Sequence, residues 1–240
     1  MRLSLFLALL LWLGLWGSSQ AQTRVPLYTY YDEAPFALDR PDNWTQRLAE
    51  HLTQASRGKY LFTPTALPRR RLDRLLAQPG WNGVVAWGNP EFFPNVPTQQ
   101  LRWSHSYLYD ADLVVSRRER PVRFQGPPSL YGLRLGAVLG RQLNDFEDSI
   151  RAGLIVREDA PSTLSNLKKL RAGRIDCTLI QRTALPGLRQ SFPDLEQWLY
   201  ISPTPRRAFS RHFAVEPGQQ ALFEFLQTAS LQMPANLFNH

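Results

Sequence analysis

Two sets of side chains in this sequence can do recognition chemistry. Tyr30, Tyr31, Phe36, Trp87, Trp103 and Tyr107 supply flat rings, several with a polar atom attached. Such rings suit stacking on a ring or planar group in a closing cleft, and they serve equally well in a core, where Trp103 is expected. The second set is arginine: Arg69, Arg70, Arg71 and Arg74 crowd one short segment. A helix cannot aim three consecutive residues the same way, so at least two of these face water. Residues 136–142 (GAVLGRQ) read as a strand turning through Gly140 into a helix. Amide N–H groups at a helix start favour anions and a glycine permits close approach, but a tight turn without ligand fits the same residues.

Catalytic signatures are missing from the sequence. It has no G-x-S-x-G, no H-E-x-x-H and no P-loop, and His51, His105, His212 and His240 lack metal-ligand spacing. Glu33 and Glu91 could act as an acid and a base, which would need a carboxyl of raised pKa beside a bound ring. Neither a cofactor nor a metal is expected. Outside that segment the arginines are scattered, and the chain is expected to be exported, so nucleic acid is not an expected partner either.

The elements that must position these residues follow from pattern. The chain has 240 residues, 28 Lys and Arg against 20 Asp and Glu, a formal charge of +8 and 43% hydrophobic residues, the mix of a globular protein. Met1 and Arg2 precede an apolar run from Leu3 to Trp16, followed by Gly17, Ser18, Ser19, Gln20 and Ala21. That is the layout of a cleaved secretory leader over residues 1–21, with cleavage after Ala21 and a periplasmic destination. Cys177 is the single cysteine, so neither a disulfide framework nor a cysteine zinc site is available. A buried place in its strand is expected for it.

Residues 24–31, 60–63 and 83–87 read as strands, with helices from Asp42 or Asn43 to about Ala55 and over 70–77. The order then repeats: strands at 133–139, 154–157 and 175–180, helices at 141–152 and 162–172. Two βαβαβ units imply two α/β lobes with mostly parallel sheets flanked by helices. A strand at 208–215 can cross back to the first lobe, joining the lobes by two strands ahead of a C-terminal helix over 219–231.

In this order LYTYYDEAPF, WGNPEFF, LRWSHSYLYDADLVVSRRE, LYGLRLGAVLGRQ and LKKLRAGRIDCTLIQ resemble the family 3 bacterial extracellular solute-binding proteins. The similarity spans nearly the whole chain behind the leader. It implies a type II periplasmic binding-protein clamshell, with lobe 1 from residues 24–113 plus 206–240 and lobe 2 from 116–203. The implied protein is a monomer that delivers a small-molecule ligand to an ABC permease or reports it to a membrane sensor. Tyr31 falls where the cleft should be, cleft positions of the family fall on Phe36, Trp87 and Tyr107, and its second-lobe ligand turn falls on Arg141 and Gln142. Typical amino-acid receptors grip the carboxylate with an arginine where this chain has Phe92, and the amino group with an acid where it has Gln181. Both grips are replaced, so a standard free amino acid does not fit and a small polar or anionic ligand is expected. Atypical members place an inward arginine about three residues after a proline, which here is Arg71. The same fold also carries the cyclohexadienyl dehydratases, the enzymatic alternative.

Overall fold

A computed structural model describes residues 22–31, 33–40 and 43–238. The leader, Asp42 and His240 lie outside these residues.

The first lobe is laid down as expected. β1 (Thr23–Thr29) pairs in parallel with β2 (Tyr60–Ala66) and β3 (Val84–Gly88). Helix α1 (Trp44–Ala55) starts where Asn43 accepts a hydrogen bond from the Gln46 N–H at 2.8 Å, a cap worth about 1 kcal/mol. Its Trp44, Leu48 and Leu52 are buried at helical spacing against Val25, Leu27 and Phe62 of the sheet and Leu222 and Leu226 of the C-terminal helix α7 (Gln220–Leu231). Helix α2 (Arg69–Leu76) covers the opposite sheet face through Leu72 and Leu76.

The second lobe repeats the plan. β6 (Arg134–Val138) pairs in parallel with β7 (Val156–Ala160) and β8 (Cys177–Gln181). Alternate residues of β5 (Leu108–Arg117) feed two separate cores: Leu113 and Val115 meet helices α4 (Thr163–Arg171) and α5 (Leu185–Ser191), whereas Val114 joins Leu135, Leu143 and Phe146. Cys177 is buried in the latter core, and burial pushes its thiol up to about 12. Two short elements, α6 (Leu195–Trp198) and β9 (Leu199–Ile201), return the chain to β5.

One expected helix is largely absent. Residues 139–146 form turns, and α3 covers only Glu147–Arg151. Gly140 sits at φ +81, Asn144 and Asp145 favour turns over helix, and Leu143 and Phe146 are pulled into the core by burial instead of helical periodicity. Gly140 therefore does not lead into a helix N-terminus.

The lobes are joined by β5 and β10 (Arg207–Val215). They pair antiparallel over Leu108–Asp112 and Arg207–Arg211, after which β5 passes to β8 and β10 passes to β3 and the short β4 (Arg102–Trp103). The register of β10 on β3 shifts between His212 and Ala214, a bulge of the kind that redirects a strand. Between the two sheets the chain is thus a two-stranded ribbon. The described strands order as β2-β1-β3-β10-β5-β8-β6-β7, with β4 and β9 as side branches.

Close packing at this junction yields a direct test. A Cβ on Gly88, the last residue of β3, would lie 2.6 Å from the Trp103 ring, which has no flexible end to swing away. Gly88→Ala is expected to cost about 1–3 kcal/mol by overpacking, read as a lower urea midpoint at unchanged slope.

Candidate functional site

On one face of the ribbon, alternate positions carry Asp110 and Asp112 from β5 and Arg207, Phe209 and Arg211 from β10. Arg207 lies directly opposite Asp112, and Arg211 lies diagonally from Asp110. Charged side chains are seldom fully buried, yet Asp110, Asp112 and Arg211 are.

Burial at this price requires that every polar atom be paired, and the Arg211 guanidinium meets the requirement. Nε and Nη2 donate to Asp110 Oδ2 at 3.3 and 2.6 Å, and Nη2 also donates to Gln181 Oε1 at 3.0 Å. Nη1 donates to the Tyr31 hydroxyl at 2.9 Å and to the Trp87 carbonyl at 3.0 Å. Its central carbon lies 4.6 Å from the Phe36 ring, 5.0 Å from Tyr31 and 5.2 Å from Phe209. Asp110 is held in turn by the backbone N–H groups of Ala111 and Thr183 and by the Thr183 hydroxyl at 2.8 Å. Desolvation works against the Arg211 charge, but Tyr31, Asp110 and Tyr30 outweigh it and raise its pKa.

A second cluster adjoins the first. The Asp112 carboxylate accepts from Arg141 at 2.6 Å, from Arg206 at 3.0 Å and from Arg207 at 3.0 Å, while Arg206 also pairs with Asp145. Burial alone would raise the Asp112 pKa, but the three guanidiniums overcome that and hold it below the ordinary carboxylate value. Arg141 keeps its charge in the same way, against desolvation, through Asp112, Glu33 and Tyr31. Arg207 lies 4.9 Å over the Phe92 ring. Groups of both lobes therefore meet at this cluster: Arg141 from the second, Glu33 and Phe92 from the first.

The expected site residues divide into three groups. Tyr31 and Gln181, far apart in sequence, meet at Arg211, and the Gln181 amide also donates to the Tyr31 hydroxyl at 3.3 Å. Arg141 reaches the adjoining carboxylate, and Phe36 turns one face to the guanidinium. Trp87 and Tyr107 sit deeper than expected. The Trp87 indole is buried in the first-lobe core with its N–H on Thr45, and the Tyr107 hydroxyl accepts the Trp87 backbone N–H at 2.9 Å while its ring stacks on Phe213. Trp87 takes part through its carbonyl, which a left-handed backbone at φ +61 directs toward Arg211; such strain is found where the surroundings hold a residue in place.

Two expected residues are not brought in. Gln142 is exposed, in the turn that replaces the expected helix start. Arg71 is also exposed, and the inward arginine of α2 is Arg69, over the rings of Tyr30 and Phe93 and bonded to the Phe92 carbonyl. The reason is helical phase: Leu72 and Leu76 define the buried stripe, and Arg69 falls on it three positions before Leu72 whereas Arg71 is turned about 100° away. Asp110, Asp112, Arg206, Arg207 and Arg211 had escaped sequence reasoning. Their signal was alternation, acids two apart in β5 and arginines four apart in β10, inside segments otherwise apolar enough to be buried.

No protein-family model matches the sequence, and no curated protein matches it. Solved structures do. An ancestral arginine-binding protein bound to arginine is 14% identical and superposes with a TM-score of 0.69 over 91% of this chain and 96% of that one. The GluR0 ligand-binding core in complex with L-glutamate gives 10% identity and 0.67 over 92% and 96%. The periplasmic VFT2 domain of Bordetella pertussis BvgS gives 16% and 0.61 over 90% of each chain. At these identities the likeness shows the fold, a two-lobed type II periplasmic binding-protein clamshell.

Asp112 provides a pH test. Its depressed folded pKa stabilises the protein above the unfolded value near pH 4, and this stabilisation is lost as pH falls through the folded value. Asp112→Asn leaves three guanidiniums around a neutral amide and is expected to cost about 3–5 kcal/mol at pH 7. In urea titrations the gap between variant and wild type should narrow below about pH 4, where the unfolded chain takes up the proton that folded Asp112 still resists. A gap that stays constant to pH 3 would contradict this account.

Proposed function

We propose that the chain is a periplasmic solute-binding protein that captures a small polar or anionic ligand between its lobes and presents it to an ABC importer. In this reading residues 1–21 are the cleaved leader, lobe 1 comprises residues 24–113 with 206–240, and lobe 2 comprises 116–203. The observation that carries it is the Asp112 cluster, where three guanidiniums share one buried carboxylate and Arg141 and Arg207 keep 22% and 33% of their side chains exposed. Charge-assisted hydrogen bonds from such arginines are about twice as strong as neutral ones, so an incoming carboxylate or similar anion finds donors already oriented. Tyr31 and Gln181 border this place from opposite lobes and supply neutral polar contacts. A ligand can add to closure only through its differential contacts with both lobes, and this cluster offers groups from each.

The fold supports this reading in a general way, since two of the solved structures named above hold a small ligand, arginine in one and L-glutamate in the other. Among the described residues no helix is long and apolar enough to cross a membrane, and no group of His, Cys, Asp and Glu side chains could hold a metal.

A thermal-shift screen of amino acids, polyamines, organic acids and aromatic acids tests the proposal. An anionic solute at about 100 times its Kd should stabilise the protein by about 2.7 kcal/mol. Arg141→Ala should weaken that binding by about 1.5–3 kcal/mol, the contribution of a charged hydrogen bond. Stabilisation by polyamines with none by any acid would refute the anionic assignment.

A further inference from the structure

Arg211 is surrounded as a ligand is surrounded. Its five N–H groups make five hydrogen bonds to four acceptor atoms, on Asp110, Tyr31, Trp87 and Gln181, and three rings enclose its faces. These groups come from separate parts of the chain: the loop after β1, the end of β3, the ribbon and the end of β8. The guanidinium is fully buried, and among its partners Tyr31 and Trp87 belong to the first lobe whereas Gln181 belongs to the second. A lysine could not replace it, because an ammonium has three donors and no planar fork.

We propose that this place is a guanidinium-binding site whose resident occupant is the protein's own Arg211, so that the lobes are held together by a tethered side chain before any solute arrives. The cage is complete: the Gln181 carbonyl, the Trp87 carbonyl and the Asp110 Oδ2 are each engaged by Arg211. A free guanidinium compound is thereby excluded from the wild-type seam, and solute capture is confined to the adjoining Asp112 cluster. The inference rests on the two-lobed fold and not on the identity of any imported solute.

Removing the tethered group should create a receptor for the free one. Methylguanidinium, at millimolar concentration, is expected to raise the melting temperature of Arg211→Ala by several degrees and to leave wild type unmoved, while methylammonium at equal concentration moves neither. An indifferent variant, or equal responses to both cations, would overturn the proposal. Should Arg211→Ala not fold, small-angle scattering of ligand-free wild type and Gln181→Ala decides. Wild type should show the radius of gyration of this structure, and Gln181→Ala, which removes the second lobe's direct hydrogen bond to the guanidinium, a larger one. An open wild type or a Gln181→Ala variant that stays closed would reject the tether. A failed solute screen would leave each of these outcomes unchanged, so the two proposals fail separately.

Discussion

A charge taken out of water must be met by hydrogen bonds in every direction, and the centre of this molecule is organised by that demand. Arg211 is buried at the point where the ribbon leaves one sheet for the other. An uncompensated guanidinium there would cost several kcal/mol, which no single apolar contact nearby could offset. The cost is avoided only when the loop after β1, the turn at Trp87, the end of β8 and Asp110 are all in place together. The two lobe cores can each form by ordinary burial. Their relative placement rests on the ribbon, on this polar network and on the adjoining Asp112 cluster, as the large apolar clusters lie within the lobes.

The Asp112 cluster obeys the same rule with a different surplus. One carboxylate cannot saturate three guanidiniums, and the second acid, Asp145, reaches only Arg206. Positive potential therefore remains near Arg141 and Arg207, reduced on the first-lobe side by Glu33. A neutral, fully paired centre flanked by an under-compensated cationic rim separates two tasks: the centre sets the geometry, and the rim attracts.

Much of the fold was legible because strands and helices obey simple periods. Leu48 and Leu52, or Leu72 and Leu76, announce buried helix faces, and the apolar run 83–87 announces a central strand. The stretch 141–146 was misjudged because Leu143 and Phe146 imitate a helical stripe while Asn144 and Asp145 locally favour turns. The site was less legible. Tyr31 and Gln181 could be named from position, but the residue that unites them belongs to β10, and a charged residue in a strand looks solvent-facing until its partners are known. Choosing among Arg69, Arg70 and Arg71 required the helical phase to one residue, and a one-residue error rotates the side chain by about 100°.

Cys177 gives the fold one more property. Its thiol is sealed in the second-lobe core and kept protonated at neutral pH, so it is shielded from oxidants despite being the molecule's single sulfhydryl. An alkylating reagent can reach it only during excursions that part the β6–β8 layer from Phe146 and Leu143. Nature has placed a clock there: the speed at which that sulfur acquires a label counts how often the interior breathes, with no added probe.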